Sequence, residues 1–123
     1  MAYTYDPTNV FARILRGEIP NKTVLESTHT LAFHDLRAQA PVHILVIPKG
    51  PYVTFDHFGA DASPEEIVDF HRSVAALCAQ LGLTPGDGYR IISNAGAHGM
   101  QEVPHFHLHL MAGRVLGRLV ERE

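Results

Sequence analysis

Three histidines stand at alternate positions in the segment PHFHLHLMAG: His105, His107 and His109. Alternation is the period of an extended strand, so the three imidazoles share one face while Phe106, Leu108 and Leu110 share the other. One face is marked as core and the other as chemistry. On a strand, side chains two apart lie about 7 Å from each other and the outer pair about 13 Å. A single metal ion spans two such rings, hardly three. A row of imidazolium ions would repel itself, whereas an imidazole with an ordinary pKa of about 6.5 is set neutral or charged by small environmental effects. Such a row suits an anion that several N–H groups share.

The loop AGAHGMQEVP joins Asn94, at the end of one apolar run, to His105, and it carries Gly96, Gly99 and Gln101. Small residues let backbone N–H groups approach a ligand closely. Glycines alone signal no more than a turn, and the loop gains meaning from the histidines beside it. Competing motifs are absent: no glycine-rich run ends in Lys-Ser or Lys-Thr, no dinucleotide fingerprint follows a strand, and there is neither a zincin helix nor a serine elbow. Two chemistries remain, imidazole as nucleophile and imidazole as metal ligand. For a metal, His105 and His107 form the candidate pair and Glu102 is the nearest carboxylate.

Holding such a row in place requires a sheet. VHILVIPKG, with its near-continuous run from Ile44 to Ile47, predicts a central strand buried on both faces. KTVLES and TLAFHDL predict a hairpin closed by a polar link at Ser27 to His29, and YRIISN predicts the strand that enters the loop. A short helix is expected over PTNVFARILR, with Asp6 as cap, Pro7 at the first helical position, Gly17 after the end, and Val10, Phe11, Ile14 and Leu15 on one apolar face. A long helix is expected over SPEEIVDFHRSVAALCAQLG. There Ser63 caps, Pro64 opens, Glu66 completes a capping box and Gly82 stops the run. Its buried stripe is Ile67, Phe70, Val74, Leu77, Cys78 and Leu81, with His71 on the exposed side. The order helix, three strands, long helix, two strands predicts an α+β fold: a mostly antiparallel sheet of about five strands with one long and one short helix.

Composition sets the outer bounds. At 123 residues the chain fits one domain, with an ordered core expected over about residues 6–117. Net charge is −3 and the basic residues are scattered, which gives no support to a nucleic-acid-binding stripe. No apolar run approaches the roughly 20 residues that span a bilayer, and the N-terminus lacks the basic and apolar segments of a secretion signal. Cys78 is the single cysteine and is expected in the core, so no internal disulfide is available. A cytoplasmic protein is the expectation.

HFHLHLM matches the His-φ-His-φ-His-φ-φ signature of the histidine triad (HIT) family, φ being apolar. FARILRGEIPNK, LAFHDLRAQAPVHILVIPK and GMQEVPHFHLHLMAGR further resemble the Hint branch of that family, in its bacterial form, and the resemblance runs from about Val10 to Arg114. It implies a HIT-like fold, a homodimer whose sheets join across the subunit boundary, purine nucleoside phosphoramidase activity and no cofactor. It puts the nucleophile at His107, with His105 and His109 flanking the phosphorus. Gln101 and Asn94 would help orient or polarise the phosphate, and His43 would support the triad from the central strand. The base would lie in a slot of Val10, Phe11, Ile14, Ile19, Phe33 and Leu45, with His34 at its edge and Leu36 alongside. Asp35 would accept from the ribose hydroxyls, and Glu102 and Val103 complete the implied nucleotide contacts.

Four departures from the family pattern bear on these expectations. Met100 stands where members often have glycine, so the loop's approach to the phosphate is tighter or displaced. Glu102 replaces the serine of animal members and is expected to turn away from a phosphate it would repel. The tail VLGRLVERE lacks the tryptophan that some members place near the leaving group, leaving its preference open. Asn9 and Ala12 occupy positions that hold zinc-binding cysteines in other branches, in keeping with a metal-free protein. The expected activity is cleavage of purine nucleoside 5′-phosphoramidates at the P–N bond, or of aminoacyl-adenylates at the acyl-phosphate P–O bond, through a nucleotidyl-histidine. Two alternatives stand beside it: dinucleoside polyphosphate hydrolysis, and a nucleotide-binding partner that regulates another protein. The polyphosphate branch tends to follow its triad with Pro-Arg where this chain has Ala112, Gly113 and Arg114. The uridylyltransferase branch carries glutamine where this chain has His109.

Overall fold

The run from Ile44 to Ile47 becomes the spine of the sheet. The structure, a computed structural model, describes residues 3–121. In chain order the elements are α1 (Val10–Leu15), β1 (Thr23–Glu26), β2 (Thr30–His34), β3 (Val42–Pro48), α2 (Phe55–Asp61), α3 (Pro64–Gln80), β4 (Arg90–Ile92) and β5 (Leu108–Ala112). The five strands form one sheet in the order β1-β2-β3-β5-β4, with every neighbouring pair antiparallel. β3 lies at its centre, paired with β2 on one side and β5 on the other, and Ile44, Val46 and Ile47 are wholly buried.

Period-two alternation splits the sheet into two faces. Ile44 and Val46 of β3 face a core shared with Ala32, Leu110, Phe58, Phe70, Leu77 and Phe106, which α2 and α3 cover. Leu45 and Ile47 face the other side with Leu31, Phe33 and Phe11, where α1 packs. His43 and His109 follow the same alternation on to that second face, because Leu45 pairs with His109 and His43 with Met111. The aromatic core therefore backs the strands whose other side holds the imidazoles.

Three local readings are corrected. The short helix begins at Val10, and Asn9, not Asp6, is its cap: the Asn9 side-chain oxygen accepts the Ala12 N–H at 2.9 Å. Asp6 spends its carboxylate on Thr8, accepting from the backbone N–H at 2.8 Å and the hydroxyl at 2.6 Å, which forms a turn ahead of the helix. The segment TFDHFGAD carries the helix α2, capped by Thr54, which sequence reading passed over because its apolar residues show no helical stripe. Ile67 is 36 % exposed and lies outside the buried stripe of α3, whose fully buried members are Phe70, Ser73, Leu77 and Cys78.

The long helix otherwise forms as its ends dictate. Ser63 and Glu66 make both bonds of the capping box, and at Gly82 (φ +70°) the chain turns so that Leu83 donates back to the Cys78 carbonyl at 2.8 Å. Asp69 ties this helix to the β1–β2 turn by accepting from Ser27 Oγ at 2.5 Å, Thr30 Oγ1 at 2.8 Å and the His29 N–H at 3.1 Å. Tertiary contacts already begin at Tyr3 and Tyr5: Tyr3 stacks on His57, with ring centroids 4.9 Å apart, and Tyr5 reaches His105.

Candidate active site

On the second face of the sheet a cavity of about 920 Å³ opens between α1, the end of β2 and the loop before β5. Its volume lies within the range of small-molecule sites. It gathers Val10, Phe11, Ile14, Ile19, Phe33, Leu45 and Val103 as apolar wall, and His34, Asp35, Leu36, Asn94, Gln101, Glu102, His107 and His109 around them. All the residues that the sequence marked as nucleotide contacts therefore meet in one place. Sequence reading missed Pro20, Asn21, Lys22, Arg37 and Gln39 in the lining, which carry no spacing signal and come close only through the α1–β1 and β2–β3 connections. His105 and His43 do not line the cavity.

The triad is not one continuous strand. The β5 ladder begins at Leu108, so only His109 lies within it, while His105 and His107 sit on the extended approach. Alternation persists through that approach: Phe106 packs into the aromatic core, and the His107 and His109 rings stand 5.1 Å apart. The three imidazoles have different surroundings. His105 is completely buried, His107 is 7 % exposed, and His109 is half-buried. The placement of His105 departs from the implied one beside a phosphorus, because its ring stands behind His107 and away from the cavity.

Hydrogen bonding fixes a proton on each ring, since a carbonyl can only accept and a backbone N–H can only donate. His107 Nδ1 lies 2.7 Å from the His105 carbonyl, so Nδ1 carries the proton and Nε2 keeps its lone pair. His105 Nε2 donates to the Pro48 carbonyl at 2.8 Å, which leaves Nδ1 as the acceptor for the Tyr5 hydroxyl at 2.6 Å. The Gln39 N–H donates to His43 Nδ1 at 3.0 Å, so the His43 proton sits on Nε2 and is given to His109 Nδ1 at 2.9 Å. His109 is left with an Nε2–H donor.

Burial disfavours the charged form of the three triad rings. Desolvation pulls His105 down to about 4 and His109 down to about 4, the charge on neighbouring histidines adding to it in both cases. His107 is also lowered by burial, against the opposing pull of its bond to the His105 carbonyl and of the Asp35 and Glu102 carboxylates. Glu102 belongs to the cavity lining and is exposed to solvent there. Phe11 packs edge-on against His107, with centroids 5.0 Å apart, so part of the expected base slot also walls the central imidazole.

Asp35, His43 and His109 each bring a ligand atom within 4.8 Å of the others, a spacing that could hold a cation. The donor set does not fit one. With His43 Nδ1 occupied by the Gln39 N–H, a metal at Nε2 would have to displace the proton and leave an imidazolate, or break that bond. The alternative pair of His105 and His107 fails too, because both nitrogens of His105 are engaged by Pro48 and Tyr5. These groups are wired as a chain of shared protons.

The loop is held by its own residues. The Gln101 amide nitrogen donates to the carbonyls of Val53 at 2.7 Å and Val103 at 3.1 Å, and its oxygen accepts the Gly96 N–H at 3.1 Å. Gln101 thus lines the cavity while pinning the loop to the segment before α2. Met100 has φ +58°, a conformation that glycine adopts without the Cβ penalty, which accounts physically for the glycine common at this position in the family it resembles.

The cavity joins an apolar wall to the imidazoles of His107 and His109. A HIT domain match covers residues 16–116, and the chain belongs to the HIT family. It is an enzyme of hydrolase type. It is 57 % identical over 122 residues to a HIT-like protein of Azospirillum brasilense, covering 99 % of both chains. It is 40 % identical over 111 residues to the purine nucleoside phosphoramidase of Escherichia coli, covering 90 % of this chain and 92 % of that one. Among solved structures it is similar to a HIT family hydrolase from Legionella pneumophila, with TM-score 0.78, 38 % identity, and coverage of 88 % of this chain and 98 % of that one. A HIT family hydrolase from Clostridium thermocellum gives TM-score 0.82 at 30 % identity, with 93 % and 97 % covered.

The depressed imidazole values make a prediction about acid. Free histidine in the unfolded chain titrates near 6.5, and His105 and His109 in the folded chain near 4. Between those values the unfolded state binds more protons, so stability falls as pH falls through that window, and below about 4 these two groups contribute no further slope. Urea denaturation from pH 7 to 5, above most carboxylate titration, should show a falling midpoint. A midpoint flat across that range would contradict the buried, uncharged imidazoles.

Proposed function

We propose that this enzyme hydrolyses purine nucleoside 5′-phosphoramidates at the P–N bond, adenosine phosphoramidates included, and aminoacyl-adenylates at the acyl-phosphate P–O bond, through a nucleotidyl-His107 intermediate. The observation that carries the reading is the His107 Nδ1–H bond to the His105 carbonyl, which keeps an unprotonated Nε2 on a ring that lines the cavity. An imidazole lone pair at neutral pH is a competent nucleophile. His107 Nε2 attacks the α-phosphorus, the P–N bond breaks and the amine departs with a proton taken from solvent, which the attacking water of the second step gives back. Water then attacks the phosphorus, the P–Nε2 bond breaks, and a nucleoside monophosphate and neutral His107 are released. Charge grows on the phosphoryl oxygens during both displacements, and positioned donors act most strongly there. The Nε2–H of His109, held in register by His43, is suited to that position. The apolar wall around Phe33, Leu45 and Ile14 suits a base, and Asp35, 19 % exposed at its side chain, suits the ribose hydroxyls.

The 40 % identity to a protein named purine nucleoside phosphoramidase supports this substrate class over dinucleoside polyphosphates. A regulatory role as a nucleotide-binding partner would use the same cavity without needing the unprotonated Nε2. Steady-state hydrolysis of a fluorogenic adenosine phosphoramidate separates the two. His107→Ala should lose on the order of 10⁴- to 10⁶-fold in kcat, the scale seen when a covalent nucleophile is deleted, while binding of nucleoside monophosphate is largely kept. Chelator should leave the wild-type rate unchanged. Equal activity in both proteins refutes the assignment, and a rate that vanishes with chelator and returns with zinc refutes the metal-free route.

The same reading takes the protein to be a cytoplasmic homodimer joined through its sheets. Support for the dimer comes from β4, an edge strand flanked by Tyr89 at 46 % exposure and carrying Ile91 at 40 %, which leaves backbone groups and apolar side chains open to pairing. Sedimentation equilibrium should give twice the chain mass at micromolar concentration; a single-chain mass there rejects the dimer.

A further inference from the structure

His105 reaches the chemistry only through its backbone carbonyl, which raises the question of what holds His105. Its ring is completely buried and bonded at both nitrogens, to the Pro48 carbonyl at the end of β3 and to the Tyr5 hydroxyl. The first bond fixes Nε2 as a donor. The second is then possible only with the tyrosine donating, so Tyr5 satisfies a lone pair that would otherwise lie buried and unpaired. Tyr5 sits in a strap ahead of α1, outside residues 16–116 that carry the HIT domain match. The strap is fastened at several points. Tyr3 donates to Asp56 at 2.7 Å and stacks on His57, while the Asp6 carbonyl accepts from the Asn9 side chain at 2.7 Å. The Tyr5 ring packs edge-on against His105 with centroids 5.5 Å apart.

We propose that Tyr5 is a positioning residue for the reaction: by donating to His105 Nδ1 it holds the His105 ring on Pro48, which fixes the carbonyl that sets the His107 tautomer. Burial raises the Tyr5 hydroxyl above the usual phenol value, so it keeps the proton this role requires. Tyr5 has no place in the cavity wall. Its loss is therefore a loss of geometry at His107 and not of substrate binding. Without the hydroxyl, His105 Nδ1 is unpaired in a buried site. The ring escapes that state by flipping or by moving its proton, and either change releases the bond to Pro48.

This inference rests on His107 as the nucleophile, and its test separates the two. Tyr5→Phe keeps the ring and removes the hydroxyl. It should lower kcat on the order of tenfold, the scale of one buried hydrogen bond, with KM unchanged within about twofold. Tyr3→Phe, which removes a strap hydroxyl that touches neither histidine, should leave kcat at the wild-type value. Ring ¹⁵N spectra read the tautomers without any turnover. In the wild type, His105 should show an unprotonated Nδ1 and protonated Nε2, and His107 the reverse. In Tyr5→Phe, His105 should become a mixture and the Nδ1–H population of His107 should fall. Wild-type kcat and unchanged His107 resonances in folded Tyr5→Phe overturn the proposal, as does a wild-type His105 with its proton on Nδ1, a measurement that stands even where the variant does not fold. Spectra as expected alongside an active His107→Ala would overturn the nucleophile reading and leave the tautomer chain intact.

Discussion

The hydrogen bond from His107 Nδ1–H to the His105 carbonyl is the contact on which the chemistry depends. It joins residues two apart in sequence, and it decides which nitrogen of the central ring is bare. The rest of the fold protects that decision. Phe11 packs against the central ring, and burial lowers its pKa, which favours keeping the bare nitrogen bare. An exposed imidazole with the same neighbours would exchange tautomers and spend part of its time protonated near neutral pH.

The surrounding wiring follows one rule, that each buried ring nitrogen meets a group able to play only one role. Pro48 is a carbonyl, Gln39 contributes a backbone N–H, and the Tyr5 hydroxyl is left to donate. Two of these partners, Pro48 and Gln39, come from β3 or its flank, which is why the central strand matters to the site as well as to the core. Its pairing with β5 brings His43 and His109 into contact, and its end supplies Pro48. The chain from Gln39 through His43 to His109 leaves a donor at its end, while the chain from Tyr5 through His105 to Pro48 ends in an anchor. One member of the trio is therefore outfitted as a lone pair, one as a proton donor and one as structural support.

Much of this was legible in the sequence because it follows local periods. The His-x-His-x-His alternation separates chemistry from core within the sequence itself. The unbroken Ile44–Ile47 run marked the central strand, and Ser63, Pro64 and Glu66 marked the start of the long helix. The cavity residues were legible through the family resemblance, since single residues such as Asp35 or Leu36 carry no pattern of their own. What sequence could not divide was burial within the triad. The period is the same for His105 and His107, and only the packing of Tyr5, Pro48 and Phe11 from distant segments sets them apart. The start of α1 was misread because Asp6-Pro7 looks like a cap while Thr8 competes for the same carboxylate. Met100 was legible as a departure, but its positive φ was not.

The most direct test of the double displacement at phosphorus is stereochemical. An adenosine 5′-phosphorothioamidate of one configuration, hydrolysed in ¹⁸O-labelled water, yields a phosphorothioate whose handedness records the number of inversions. Attack by His107 followed by attack by water predicts two inversions and net retention. Net inversion would mean that water attacks phosphorus directly, and that His107 never bonds to it.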